Sequence, residues 1–501
     1  MRTRARLTLD PAFRIAPVEP RLFGSFVEHM GRCVYTGIFE PGHPSADADG
    51  FRADVLELVR ELGVTLVRYP GGNFVSNHRW EDGVGPRDQR PTTLDLAWRS
   101  IEDNSFGLNE FMTWAAKAGV EPMMALNLGT RGVADALRLV EYATYPGGTR
   151  MSELRRSHGV DEPHDIRLWC LGNELDGPWQ MGHKTAREYG RLAAETARAL
   201  KRLDPGLALV ACGSSNSSIP TFGAWEAEVL EETYDLVDYI SLHAYYDPSD
   251  GDADSFLASA ADMEHMITSI AATADHVAAR LRSPKRIKLS FDEWNVWYQS
   301  RFGGESSLEW ARHPRLIEDS YDVTDAVVVG SLLITLLRNA DRVGVACQAQ
   351  LANVIGPIMT EPGGPAWRQT SFHPFALTAR HARGQVLRVE PDSDTLPTAR
   401  YGEVPVVCAT ATHDPATGGL ALFVVNRDRR RPCELEVALP RGLAPAEHLE
   451  LADADPSARN TAAEPYRVAP RPGSGLECRD GLATLTLPPT SWTLVRFAAK
   501  E

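Results

Sequence analysis

The sequence has no hydrophobic run long enough to cross a bilayer. The longest, Ala326–Leu337, ends at Arg338, short of the ~20 apolar residues a spanning helix requires. Positive charge is in the minority: 52 Lys and Arg against 67 Asp and Glu leave a net charge of −15. That balance argues against a general nucleic-acid or anionic-membrane surface. The opening stretch MRTRARLTLDPAFRIAPVEP carries basic residues but no apolar core, so it is not read as a secretory signal. Cysteine is sparse. The seven are Cys33, Cys170, Cys212, Cys347, Cys408, Cys433 and Cys478, odd in number and without CxxC spacing. They are expected to be buried free thiols in a reducing, cytoplasmic compartment rather than a disulfide framework or a zinc site. No GxGxxG follows the first strand, and no Lys-Ser/Thr follows Pro70-Gly71-Gly72. Neither a dinucleotide nor a phosphate loop is indicated, and no cofactor is expected.

What is present is an ordinary globular composition, 43% hydrophobic and 24% charged, over 501 residues. Such a chain is long enough for two or three domains. Short β-branched or alternating runs take turns with helical stripes. Predicted strands cover Leu22–Met30, Thr65–Tyr69, Glu121–Leu128, Asp165–Glu174, Leu207–Ser214, Val237–Tyr246, Arg286–Asn295 and Val343–Asn353. Helices are predicted between them, one capped by Thr185 with Glu188 three residues on. Eight such units over about 330 residues predict a (β/α)8 TIM barrel in preference to a doubly wound sheet. After Phe375 the helical stripes give way to short alternating runs with Gly and Pro turns, which predicts an all-β sandwich. The expected division is residues 1–18 as a strand segment joining the β-domain, 19–375 as the barrel, and 376–501 as the sandwich.

In such barrels the chemistry sits at the C-terminal ends of the strands. Those ends collect Glu28, Asn73, Asn127, Asn173, Glu174, Asn216, His243, Tyr245, Glu293 and Gln350. No core requires so many polar groups at one rim. Glu174 and Glu293, 119 positions apart, fall on the fourth and seventh predicted strands and are the candidate carboxylate pair that glycoside hydrolysis needs. One must donate a proton to the leaving oxygen, and the other must attack or activate water. Asn173 suits a contact to a sugar hydroxyl, Tyr245 suits orientation of the nucleophile, and Glu28, Asn73 and Gln350 suit the remaining hydroxyls. Trp98, Trp179 and Trp297 fall in predicted loops, where they read equally as stacking faces for sugar or as caps on the barrel core. His29, His78 and His243 lack HxH or HExxH spacing, so no metal site is assigned. A non-catalytic sugar-binding protein and a metal-dependent barrel isomerase remain as competing readings.

Several stretches together resemble the glycoside hydrolase family 51 α-L-arabinofuranosidases: WCLGNELDGPWQMGH (169–183), FDEWNVWY (291–298), RYPGGNF (68–74), FGSFVEHMGRCVYTGIFEPGHP (23–44) and SLHAYY (241–246). The resemblance spans the whole chain. It implies a (β/α)8 barrel with a C-terminal jelly-roll sandwich to which the N-terminal strand contributes. It implies exo-acting release of terminal α-L-arabinofuranosyl groups from arabinoxylan or arabinan oligosaccharides, with retention. Carried over by motif, Glu174 is the acid/base and Glu293 the nucleophile, while Glu28, Asn73, Asn173, Tyr245 and Gln350 hold the arabinose. It further implies a homo-hexamer that needs no metal. A β-xylosidase or endo-glucanase on the same scaffold is the neighbouring alternative, since the loops Gly83–Ser105 and Ser300–Asp319 would shape the aglycone side.

Overall fold

The computed structural model describes residues 2–248 and 251–499. Eight parallel strands close a barrel in chain order: Gly24–Phe26, Leu66–Tyr69, Glu121–Ala125, Leu168–Cys170, Ala208–Ala211, Tyr239–Tyr246, Lys288–Val296 and Val343–Ala349. The predicted TIM barrel is therefore present, with Glu174 after its fourth strand and Glu293 within its seventh.

Several strands are shorter than their sequence signals. The Leu22–Met30 run becomes a 3-10 turn, Pro20–Phe23, and a strand of three residues. The Asp165–Glu174 run keeps only Leu168–Cys170 in the ladder. The cause is common to both. Glu28 and Glu174 leave the hydrogen-bond ladder so that their side chains turn over the barrel mouth, and apolarity cannot report where a ladder stops. The predicted long helix over Asp254–Leu281 is two, Ala253–Leu257 and Ala260–Leu281. The long loop after the second strand folds its own hairpin, Thr93–Asp95 against Ser100–Glu102. Helix Arg150–Ser157 carries no strong apolar stripe and escaped the pattern. The predicted capping box forms: Thr185 Oγ1 accepts from Glu188 N–H, and Thr185 N–H donates to Glu188 Oε2.

Helical structure extends past residue 375, to the end of Phe372–His381. Beyond it lie two sheets. One runs Asp392–Ser393, Thr3–Thr8, Cys433–Ala438, Leu482–Leu487 and Glu477–Arg479; the other holds seven strands, with Arg14–Pro17 on its edge. Thr3–Thr8 pairs parallel with Cys433–Ala438, so the N-terminal strand lies inside this sheet. Its alternating buried and exposed positions follow the period of two. All seven cysteines are free, and six are buried.

The apolar run noticed in the sequence is helix Val323–Arg338, capped by Asp322, whose Oδ1 accepts from the N–H groups of Thr324 and Asp325. Almost all of its residues are buried, because it lies between the barrel and the seven-stranded sheet and has no solvent face. Gly330 is where the two layers touch. A Cβ there would stand 2.9 Å from Trp492 Nε1 and closer still to Cδ1.

Gly330→Ala gains helix propensity of up to about 1 kcal/mol but drives a methyl into the Trp492 ring. We expect a net loss of about 1–3 kcal/mol in unfolding free energy, read by denaturant unfolding. A gain in stability would show that the indole moves aside at no cost.

Candidate active site

The site is built around buried charge. Arg68 projects from the middle of the second strand, between apolar neighbours. Its Nη1 donates to Glu293 Oε1 at 2.6 Å and its Nη2 to Asn173 Oδ1 at 2.7 Å. Glu293 Oε2 accepts from the Tyr245 hydroxyl at 2.7 Å. Both oxygens of Glu293 are therefore fixed from opposite sides. Gly71 and Gly72 make room for this arrangement: a Cβ on Gly71 would stand 2.8 Å from Glu28 Cγ, and one on Gly72 3.0 Å from Glu293 Oε1. The space these glycines leave is filled by the carboxylates of Glu28 and Glu293.

Glu174 follows Gly172 on a strained turn, with φ +44° in the left-handed region that side chains avoid. The turn aims its carboxyl across the mouth. Oε1 lies 2.8 Å from His243 Nδ1, and Oε2 accepts from Trp179 Nε1 at 2.8 Å. The other His243 nitrogen, Nε2, lies 3.0 Å from Asp292 Oδ1, and Nδ1 lies 3.6 Å from Glu293 Oε2. Burial opposes charge on this imidazole, yet Glu293, Asp292 and Glu174 together raise its pKa well above the usual histidine range. As an imidazolium it donates from both nitrogens, to Glu174 and to Asp292. One oxygen each of Glu174 and Glu293 and a ring nitrogen of His243 all lie within 4.8 Å of one another. Such a cluster has the size of a cation site, but the Arg68 guanidinium already sits against Glu293 and a second positive ion would be repelled.

Glu28 lies on the far side of Glu293. Oε1 accepts from Phe74 N–H at 2.9 Å and Trp98 Nε1 at 3.0 Å, and Oε2 accepts from Gln350 Nε2 at 3.1 Å. These donors are neutral, and among the described residues no cation forms an ion pair with it. Burial first, and the charge of Glu293 second, push its pKa up to about 8. Trp98 is held in turn by Asp95, whose carboxylate accepts from the N–H groups of Ala97 and Trp98.

A cavity of about 630 Å³ opens over these groups, and Glu28, Asn73, Trp98, Glu174, Glu293 and Gln350 line one part of it. Asn173 and His243 stand beneath as buried supports. Trp297 lines the wall edge-on to Tyr245, with ring centroids 5.3 Å apart. Trp179 is 42% exposed at the mouth. Asn216 lines the cavity and also caps its own turn through Ser218. Asn127 is not brought to the site: its side chain ties down the Gly129–Thr130 turn and the His78 carbonyl. His29 is engaged with Glu102 and Tyr69, and His78 stacks beside it, pushed by burial to about 3. Neither ring joins Glu174 and Glu293.

Strand-end reasoning missed Arg68, read as part of the strand Thr65–Tyr69, and Asp292, passed over in favour of its neighbour Glu293. A signal existed for both. A lone Arg in Leu66-Val67-Arg68-Tyr69 and an Asp in a buried strand each demand an opposite charge.

The raised pKa of Glu28 has a stability consequence with a definite sign. The folded state keeps the proton from the ordinary value of 4.5 up to about 8, so this contribution is complete below 4.5 and is lost as pH rises through 8. The difference in unfolding free energy between wild type and Glu28→Gln should therefore shift against the wild type across that interval and level off above it. Denaturant unfolding at pH 5, 7 and 9 reads this, and a flat difference would refute it.

Two family profiles match the chain, the α-L-arabinofuranosidase 1 domain over residues 58–265 and the α-L-arabinofuranosidase C-terminal domain over 292–491. An intracellular exo-α-(1→5)-L-arabinofuranosidase of Streptomyces lividans is 64% identical, over 99% of this chain and 76% of its own length. An exo-α-(1→6)-L-arabinofuranosidase of Bifidobacterium longum is 53% identical, over 98% and 97%. A solved family 51 α-L-arabinofuranosidase of Bifidobacterium longum superposes with a TM-score of 0.95 at 48% identity, covering 99% of this chain and all of that one. The chain belongs to glycoside hydrolase family 51, the α-L-arabinofuranosidases.

Proposed function

We propose that this protein is an exo-acting α-L-arabinofuranosidase that removes terminal arabinofuranosyl groups from arabinan and arabinoxylan oligosaccharides with retention of configuration. The observation that carries the mechanism is the spacing of Glu174 and Glu293, with an oxygen of each inside a 4.8 Å cluster. Retaining enzymes hold their carboxyl groups ~5–5.5 Å apart, and inverting ones leave ~6.5–9.5 Å for a water.

The arabinose ring sits over Glu293, between Glu28, Asn73 and Gln350. In the reacting state the proton of the Glu174–His243 contact lies on Glu174 Oε1; Glu293 attacks the anomeric carbon as Glu174 gives that proton to the departing oxygen. The glycosidic bond breaks and an ester between arabinose and Glu293 forms. Arg68 and Tyr245 keep the attacking carboxylate in one orientation, which lowers the entropy cost of the encounter. Glu174, now a carboxylate, takes a proton from water. The resulting hydroxyl attacks the anomeric carbon, the bond to Glu293 breaks, and the proton taken from water has restored the acid form of Glu174. Asn173, held by Arg68, offers its amide to a sugar hydroxyl beside the reacting carbon. Tyr245 sets the position of the nucleophile without taking part in proton transfer.

The linkage first proposed is 1→5, which the Streptomyces relative carries in its name. We further infer a cytoplasmic location, from the free thiols and from relatives named intracellular, and a hexameric assembly on the family resemblance alone. No helix among the described residues is long and apolar enough to cross a membrane.

Wild type should hydrolyse 4-nitrophenyl α-L-arabinofuranoside, and Glu174→Ala should lose turnover and regain part of it with azide, giving arabinosyl azide of retained configuration. An azide of inverted configuration would exclude the double displacement. Tyr245→Phe removes a hydrogen bond to a charged group, and kcat should fall by about ten- to a hundredfold. An unchanged kcat would remove the hydroxyl from the nucleophile's support.

A further inference from the structure

The cavity continues beyond the place of the arabinose. Glu28, Asn73, Trp98 and Gln350 bound one part of it, on the side of the eighth, first and second strands. Another wall is formed by Asn216–Ser218 after the fifth strand and by Tyr246 and Asp262 at and after the sixth, and is completed by Arg400 and Tyr401. Glu174, after the fourth strand, lines the cavity along with both groups. A leaving group protonated by Glu174 departs toward the second wall.

Arg400 and Tyr401 are not barrel residues. They lie at the tip of a hairpin, Thr395–Thr398 against Gly402–Pro405, with Thr398 opposite Gly402. This hairpin joins neither of the two large sheets. An isolated hairpin is marginal in water, and three contacts fix this one. Leu396 and Val404 are buried in the apolar cluster of the β-domain. Thr398 Oγ1 donates to Gly402 O and accepts from Tyr401 N–H. Arg400 N–H donates to Ser255 Oγ at 3.1 Å, on the short helix Ala253–Leu257 that follows the sixth barrel strand. The tip is thus pinned to the barrel rim, and Tyr401 is half-buried in the cavity wall.

Asp262 shares that wall. Its Oδ1 accepts from Ser217 Oγ at 2.8 Å and its Oδ2 from Tyr246 OH at 3.2 Å. A carboxylate has about four acceptor sites, so two remain for hydroxyl groups. An aromatic ring beside free acceptors and serine hydroxyls meets what a pentose presents: an apolar C–H face and a fringe of hydroxyls.

We propose that Tyr401, presented by the β-domain hairpin, determines specificity as an aglycone subsite for a pentosyl unit beyond the scissile bond, with Asp262 receiving that unit's hydroxyls. The inference rests on the arabinofuranosidase reading and assigns the β-domain a direct share in substrate choice. The balance of the reaction is unchanged; what changes is which leaving groups bind well.

The experiment compares wild type, Tyr401→Ala and Tyr401→Phe on methyl α-L-arabinofuranoside, whose aglycone is too small to reach the second wall, and on linear arabinotriose and arabinotetraose, with melting temperatures measured alongside. For Tyr401→Ala, kcat/KM on the oligosaccharides should fall by about five- to tenfold, mostly through KM, while the methyl substrate stays within about twofold. Tyr401→Phe keeps the ring and should restore most of the loss. Unchanged oligosaccharide kinetics in Tyr401→Ala would overturn the subsite. So would an equal loss on both substrates, which would mark a structural role and appear with a lowered melting temperature. A wild type inactive on every arabinofuranosyl substrate would instead sink the functional reading beneath it.

Discussion

The organising constraint is a charge balance held out of water. Glu174, Asp292 and Glu293 converge on one imidazole and one guanidinium, and Arg68, His243 and Asp292 are each no more than 2% exposed. Taking a charge into a protein interior costs several kcal/mol unless it is paired and hydrogen-bonded. Here every carboxylate oxygen of Glu174 and Glu293 has a named donor. The pairing also imposes order, because a guanidinium shared between Glu293 and Asn173 sets the distance between them. Glu28 marks the edge of this system. It has three neutral donors, no ion-pair partner among the described residues and Glu293 as neighbour, so burial and that charge push its carboxyl upward to about 8.

The barrel suits this arrangement because its strands converge from distant positions in sequence. Glu28, Arg68, Glu174, His243, Glu293 and Gln350 come from the first, second, fourth, sixth, seventh and eighth strands or their ends. Each is carried by a ladder that fixes its backbone, and the packed barrel interior below leaves little freedom for drift. Where the ladder geometry does not suffice, the chain departs from it. Glu174 takes a left-handed backbone and the strand that carries it stops early. Strain at such a point persists only because Trp179 and His243 secure the side chain.

The β-domain contributes at two levels. Through Trp492 it closes over the helix Val323–Arg338, giving an otherwise unprotected apolar helix a second covered face. Through the hairpin that carries Tyr401 it reaches the cavity itself. The same packing that stabilises the barrel also determines where that hairpin stands in the cavity wall.

Much of this was legible in the chain. The alternation of buried strands with helical stripes specifies a barrel, because burial on both faces demands continuous apolar runs and the helices demand a period of 3.6. Glu174 and Glu293 could be picked out because a carboxylate directly after such a run has no place in a core. Thr185 with Glu188 declared a helix start by local chemistry alone. Other features were not legible, for reasons equally physical. Asn127 looks like Asn73 in sequence but ties down its own turn, since turn geometry and ligand geometry use the same side chain. Arg68 and Asp292 were hidden inside strands, where their partners are decided by neighbours 49 to 225 positions away. Tyr401 sits in a stretch that reads as ordinary sandwich. The sequence by itself determined the barrel, its order and the two glutamates that meet at its mouth, because periodicity and residue chemistry are local properties. Only the tertiary structure decided the pairing of charges, the upward shift of Glu28 and the entry of the β-domain hairpin into the cavity, because each depends on distances between segments that no local pattern encodes.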